Sequence, residues 1–494
     1  MTKPFIHPAL LLGVLVVGAG LFILNLGFIN ISFANFSYLF SPITQSANST
    51  ITPTQDLKGT ITIYQFDPLD PTKARQEYWL ETNDGNNFLL KTPSALNIKS
   101  GSLIKVKSND YTRNGQEIYL TSNDSVQVLS STNAERTMWQ QRLAVLLVDF
   151  ADSGPRPFTR EQIIPLVTSS QSQFQKFYAD QSYNQVTFIG QVADWQQLPR
   201  TAEINGNCRL PGQQNIAELS SLLVGSGIDL TIYNRVIMLA SHPCVQGGLS
   251  TIGASNFPIN GQTINMSLAW IGSLDIYNQP SNRGPQPFPW TNLDRLLSHE
   301  FGHSLGLQHS NGLDCDQNVF GQLGVDCAHI EYGNAYDTMG GLLGGGYTLH
   351  FNGYQKELLG WLPPEKILNI TASGRYTIWP LERNRNSYHA AKIALSDDPY
   401  TSQPRVLYLE TRQALGFDAN LSTSTISSNI GGLIASVFTR NSGLPHTRLL
   451  DLAPTTASWL DDIKQTTLNS VPDRRLQIEA LASVSASLNN TITQ

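Results

Sequence analysis

The sequence predicts a multidomain α+β protein, an α/β centre flanked by two β-rich regions, on three observations. At 494 residues the chain is too long for one hydrophobic core. Short runs in which apolar and polar residues alternate fill residues 57–130 and return beyond about residue 370. Between them, residues 140–365 mix strand-like apolar runs with apolar residues at helical spacing.

Residues 1–40 read as a signal anchor or signal peptide. Ala9 to Ile29 is apolar except for Asn25, and as a helix it would run about 30 Å, one hydrocarbon thickness. Lys3 precedes it and no Lys or Arg follows until Lys58, which places the bulk of the chain outside the cytoplasm. Cleavage near Ser32-Phe33-Ala34 is the alternative to an anchor, and both outcomes give an extracytoplasmic protein, membrane-tethered or secreted. Residues 41–56, rich in Ser, Thr, Pro and Asn, form a linker. Residues 57–135 predict a small β-barrel or sandwich, with strands at Thr60–Tyr64, Phe88–Leu90, Leu103–Lys107, Ile118–Leu120 and Val126–Leu129.

In the 140–365 region, Arg142–Phe150 reads as a buried strand. Thr159 and Gln162 form a capping box before Ile163, Ile164 and Val167, and Phe174, Phe177 and Tyr178 continue the helical spacing. Val186–Val192 and Tyr233–Ala240 are further strands, and Ile216–Val224 a short helix. Over 370–494 the helical signal fades, and Tyr376–Trp379, Val406–Glu410 and Gly432–Phe438 predict a β-sandwich-like C-terminal domain.

Charged residues are only 14% of the chain, against about 25% in typical soluble proteins, and the net charge is −6. No basic field is available to hold phosphate backbones, so nucleic acid is excluded as a partner. The four cysteines form no CxxC pair. Three pairings are open in an exported chain, of which Cys315–Cys327 with Cys208–Cys244 is preferred.

The chemistry is concentrated in Ser298-His-Glu-Phe-Gly-His-Ser-Leu-Gly-Leu-Gln-His-Ser310. A helix starting near Thr291 and Asp294 carries Leu293, Leu296 and Leu297 on an apolar face. His299 and His303, four apart, then project from one side and can share a metal, with Glu300 about 100° around the helix. Gly306 ends the helix in the left-handed conformation, and the turned chain brings His309 back as a third nitrogen ligand. Three neutral imidazoles suit Zn2+ and leave one position for water, whose proton Glu300 can accept. The HExxHxxGxxH spacing arises by chance on the order of 10⁻⁵ times in such a chain.

This motif resembles that of the metzincin metalloproteases, in which a methionine-bearing turn lies beneath the metal. Glu331-Tyr-Gly-Asn-Ala-Tyr-Asp-Thr-Met-Gly-Gly341 supplies the corresponding turn, with Met339 at its centre. Within that clan, the Glu331-Tyr-Gly stretch, Asp337-Thr-Met-Gly and Phe351-Asn-Gly-Tyr-Gln-Lys-Glu-Leu-Leu-Gly-Trp361 resemble the gametolysin family. Immune-inhibitor-A-type secreted bacterial proteases share part of the last segment. The resemblance implies a metzincin-like α/β catalytic domain with two lobes, and a zinc endopeptidase acting on extracellular proteins or glycoproteins. Some metzincins silence the zymogen with a propeptide cysteine, but no Cys or His lies between residues 8 and 207. If residues 57–135 are a prodomain, a carboxylate such as Asp67 or Asp70 could do the same job, although exposed acidic loops are usually just solvated. Gly341 stands where some relatives place an additional tyrosine ligand.

Asp314, Asp316, Asn318 and Asp326 offer oxygen ligands for Ca2+, but the Gly and terminal Glu of an EF-hand are missing, so a solvated, disulfide-stapled loop is the plainer reading. Tyr336 and Tyr347 are candidate oxyanion donors. Two other functions fit the same sequence: a tethered adhesin or glycan-binding protein with a vestigial protease domain, and a zinc amidase.

Overall fold

The computed structural model describes residues 55–131, 139–272 and 290–452, with short gaps inside them, and two strands close to the C-terminus. The apolar span at 9–29, residues 41–54 of the linker and Gly344-Gly-Gly lie outside the described residues. Among the described residues, no helix is long and apolar enough to cross a membrane.

The expected α+β plan is corrected. Strands hold 41% of the described residues and helices 19%, in two mixed sheets. The N-terminal strands are β1 (Leu57–Asp67), β2 (Arg75–Thr82), β3 (Asn87–Lys91), β4 (Leu103–Val106), β5 (Tyr111–Asn114), β6 (Glu117–Leu120) and β7 (Val126–Ser130). They continue into β8 (Trp139–Phe150), β9 (Val186–Leu198), β12 (Arg235–Ala240), β13 (Gly248–Thr251), β14 (Ser255–Ile259) and β15 (Gln262–Ile271), after a short β10 (Glu203–Ile204) and β11 (Asn207–Cys208) hairpin. All but that hairpin form one 13-stranded sheet, whose main path runs β5-β6-β3-β2-β1-β13-β15-β12-β8-β9. The junction is antiparallel, from Tyr64 opposite Thr251 to Asp67 opposite Gly248. Local alternation reveals that β1 is a strand, but not which distant strand it pairs with.

The period-two pattern of β8 divides two cores. Leu143, Val145 and Leu147 face one side of the sheet, and Ala144, Leu146 and Val148 face the other. On the first face lie α1 (Arg160–Val167), α2 (Gln173–Gln181) and α4 (Trp290–Ser304); on the second lies α3 (Ile216–Gly225). The predicted Thr159–Gln162 capping box starts α1, and Ser172 caps α2 by accepting from the Gln175 amide (3.0 Å). Leu293, Leu297 and Phe301, one helical face of α4, are fully buried with Phe174 and Tyr178, each burial contributing roughly 1.5–3 kcal/mol. The Tyr178 hydroxyl donates to the Ser298 carbonyl (2.6 Å), which fixes α4 in depth and rotation.

A second, seven-stranded sheet has the order β17-β16-β23-β22-β21-β20-β18. Its members are β16 (Ser310–Asp314), β17 (Ala328–Ile330), β18 (Ile367–Ile370), β20 (Ala390–Ala394), β21 (Arg405–Thr411), β22 (Leu433–Thr439) and β23 (Thr447–Leu450). A three-stranded sheet holds β19 (Arg375–Ile378), β24 (Glu479–Ala482) and β25 (Asn490–Thr493). The short α5 (Gly353–Leu358) is tied to the second sheet through Glu410, which accepts from the Gly353 amide (2.6 Å). Arg412 pairs with Glu410 (2.9 Å) and Asp418 (2.8 Å), while Lys356 donates to the Gln181 carbonyl (2.9 Å) on α2. Arg412, Glu410 and Asp418 satisfy one another, and with the Lys356–Gln181 hydrogen bond they hold the 350–361 segment between α2 and the second sheet.

Candidate metal centre and active site

His299 and His303 stand one turn apart on α4, their ring centroids 4.9 Å from each other. Gly306 adopts φ +98° and its amide donates to the His303 carbonyl (2.7 Å), so the helix ends as the sequence predicts. The chain then turns into β16, and His309 precedes that strand with its Nε2 3.1 Å from the Nε2 of His303.

Each imidazole is held from behind. His299 Nδ1 meets the Thr338 carbonyl (2.8 Å), His303 Nδ1 the Leu307 carbonyl (2.7 Å), and His309 Nδ1 the Glu331 carboxylate. Because these oxygens only accept, each ring donates from Nδ1 and turns its Nε2 toward the common centre. Were both rings neutral, the two lone pairs facing each other at 3.1 Å would repel unless a cation lay between them. For comparison, two nitrogens at about 2.0–2.1 Å from a tetrahedral ion would be roughly 3.3 Å apart.

The fourth member of the group is Asp67, at the end of β1. Its Oδ2 lies 3.3 Å from His299 Nε2 and 2.9 Å from His303 Nε2, and its Oδ1 lies 2.9 Å from His309 Nε2. Asp67, His299, His303 and His309 are all buried, and their ligand atoms lie within 4.8 Å of one another. This group can hold a metal ion. The donor set fits one, since Asp67 Oδ2 and His299 Nε2 are buried without a hydrogen-bond partner.

Gln65 Nε2 (3.0 Å) and the Tyr332 hydroxyl (2.7 Å) both donate to Asp67 Oδ1. Gly247, at φ +96°, lets the backbone pass the Asp67 carbonyl, where a Cβ would collide. Burial alone would raise the Asp67 pKa, but the surrounding His309, His303 and His299 outweigh it and hold the carboxyl well below its ordinary value. Burial lowers His299 to about 4, whereas the Asp67 and Glu331 carboxylates overcome the burial of His309 and raise it to about 10. Asp70, the other candidate carboxylate, instead bonds Thr72 and Lys73 at the surface.

Glu300 is fully buried beside Asp67, its Oε2 accepting from the Ser250 hydroxyl (2.5 Å) on β13 and its Oε1 lacking a hydrogen-bond partner. Burial, and then the Asp67 charge, push its pKa well above the usual carboxylate value. A Cβ at Gly248 would collide with the Glu300 carboxylate, so only glycine lets β13 lie this close. Met339 is fully buried with its sulfur against Gly302 of α4, and its carbonyl accepts from the Ser310 amide (2.9 Å). The methionine turn is thereby fixed to both the helix and the strand that carry the imidazoles.

Sequence reading missed Tyr332 and the role of Glu331. Tyr332 takes φ +55°, and its ring lies 4.2 Å from that of His309. The Glu331-Tyr-Gly stretch stands out in the sequence only through its resemblance; a carboxylate shortly after a histidine ligand is the signal that would have marked Glu331. The candidate oxyanion donors Tyr336 and Tyr347 pack with Leu349, Leu421 and Leu449 instead. Cys315–Cys327 is formed as expected, and the side chain of Cys208 and all of Cys244 lie outside the described residues. Asp316 donates its amide to Asp314 (3.1 Å) in that stapled loop, and among the described residues the acidic side chains there form no metal-holding group of the kind expected for Ca2+.

Compared with known proteins, the chain matches no family model and no curated protein.

Proposed function

We propose that this chain is a zinc-dependent endopeptidase of metzincin type, exported and acting on extracellular proteins or glycoproteins. The observation that carries the reading is the convergence of three Nδ1-anchored imidazoles beside a buried, half-satisfied glutamate. His299, His303 and His309 would hold the ion. Zinc bound there would polarise a peptide carbonyl and make a water nucleophilic near neutral pH. With the Asp67 charge withdrawn and a dication beside it, Glu300 would be ionised and would take the proton of the attacking water on Oε1 and return it to the leaving amine, while Ser250 keeps the carboxylate oriented. Tyr332 holds its hydroxyl where an oxygen sits among the imidazoles, the position of a donor to developing negative charge.

The four-residue ligand group also suits a second reading, a tethered binding protein with a closed structural metal. A structural site has no use for Glu300, which favours the enzyme. The test is casein cleavage by the zinc-loaded Asp67→Ala chain, which lacks the carboxylate lying among the imidazoles. Cleavage abolished by a chelator, and reduced at least ~10²-fold by adding Glu300→Ala without loss of zinc, is expected. Unchanged turnover in the Glu300→Ala variant would falsify the mechanism.

A further inference from the structure

We propose that residues 57–130 keep the site closed, with β1 as an internal occupant of the cleft and Asp67 as the plug between the imidazoles. This rests on the endopeptidase reading above. Strand β13 has two edges. One pairs with β15, and the other is covered by β1 from Tyr64 to Asp67. The same β13 supplies Ser250 to Glu300 and runs past it at Gly248, so the covered edge belongs to the wall of the reaction site. An extended peptide reaching Glu300 along this wall and β1 cannot both pair with that edge.

The contact is built rather than incidental. Asp67 is 6% exposed, and it is gripped by two donors from different parts of the chain, Gln65 and Tyr332. Beside it, Gln76 of β2 donates to Gln308 next to His309 (2.6 Å), and Thr62 bonds Ser255 (2.6 Å). Tyr64 and Trp79 are buried in the same core as Leu249 and Trp270 of the central sheet. The N-terminal strands therefore dock through backbone pairing, apolar burial and one carboxylate aimed at the ligand nitrogens. The carboxylate performs what a thiolate could not in this stretch, since no cysteine precedes Cys208.

Cobalt-substituted full-length protein tests the closure without relying on turnover. Acetohydroxamate, a small metal-binding molecule, is expected to leave the visible spectrum of the wild type unchanged and to shift that of Asp67→Ala. In the zinc forms, casein cleavage by Asp67→Ala is expected to exceed the wild type at least ~10-fold, because β1, no longer anchored at Asp67, leaves the β13 edge more often and activity follows the fraction of open sites. Asp67→Asn, which keeps the shape but not the anion, supplies the same comparison should the alanine variant fold poorly. Asp70→Ala, at the exposed 3-10 turn, should behave as wild type. An equal spectral response in wild type and Asp67→Ala, or equal and measurable cleavage by the two, overturns the closure. An Asp67→Ala site that admits acetohydroxamate yet hydrolyses no casein even after limited proteolysis has removed β1 overturns the peptidase reading and leaves the closure standing.

Discussion

The Tyr332 hydroxyl donates a 2.7 Å hydrogen bond to the carboxylate of Asp67, joining residues 265 positions apart in the chain. Its ring lies against His309, so one side chain touches both the plug and a candidate ligand. Tyr332→Phe keeps the ring and deletes the donor. It should lower stability by about 1–3 kcal/mol, the cost of leaving a buried acceptor short of a partner. Urea unfolding of the full chain measures this, and a midpoint equal to wild type would contradict it.

Glu331 accepts from His309 Nδ1 and from His329 Nε2 (2.6 Å). Glu331→Gln should weaken the orientation of His309 and reduce metal affinity by roughly 10–100-fold, the usual effect of losing such a supporting carboxylate. Competition with a chromogenic chelator reports the change directly.

Gly302 lies under the sulfur of Met339, with no room for a methyl group. Gly302→Ala should destabilise the protein by about 1–3 kcal/mol through overpacking. Combining it with Met339→Ala should recover part of the loss, because the colliding atoms are gone. A double variant no more stable than the single one would place the strain elsewhere.

Asp294 on α4 has its pKa raised from 3.8 to about 6 by burial. The folded state therefore binds its proton more tightly than the unfolded chain does. The associated stability is fully present below the unfolded value and is lost as pH rises through about 6. Asp294→Asn should flatten the pH dependence of the urea midpoint between pH 4 and 6. A profile parallel to wild type would assign the dependence to other groups.

The histidine cluster was legible because helical geometry is written in local spacing. His299 and His303 share a face by period, and Gly306 supplies the turn that returns His309. The Thr159–Gln162 cap and the Cys315–Cys327 staple were legible for the same reason, each being a short-range relation. The sheet was not. That β1 joins β13 depends on pairing between Tyr64 and Thr251, and residue-by-residue alternation carries no address for a distant partner. Asp67 was visible as one of two candidate carboxylates, but nothing local distinguished it from Asp70. Tyr332 was hidden by its backbone: a left-handed tyrosine points where no periodic pattern would send it.

The antiparallel seam between Leu57–Asp67 and Gly248–Thr251 has a consequence for any form of the protein in which β1 is undocked. If the N-terminal strands leave, an interior ribbon becomes a rim, with bare amide and carbonyl groups and freshly uncovered Leu249 beside it. The liberated molecule would be adhesive toward any extended chain, other copies of itself included, and self-association would compete with the capture of a target.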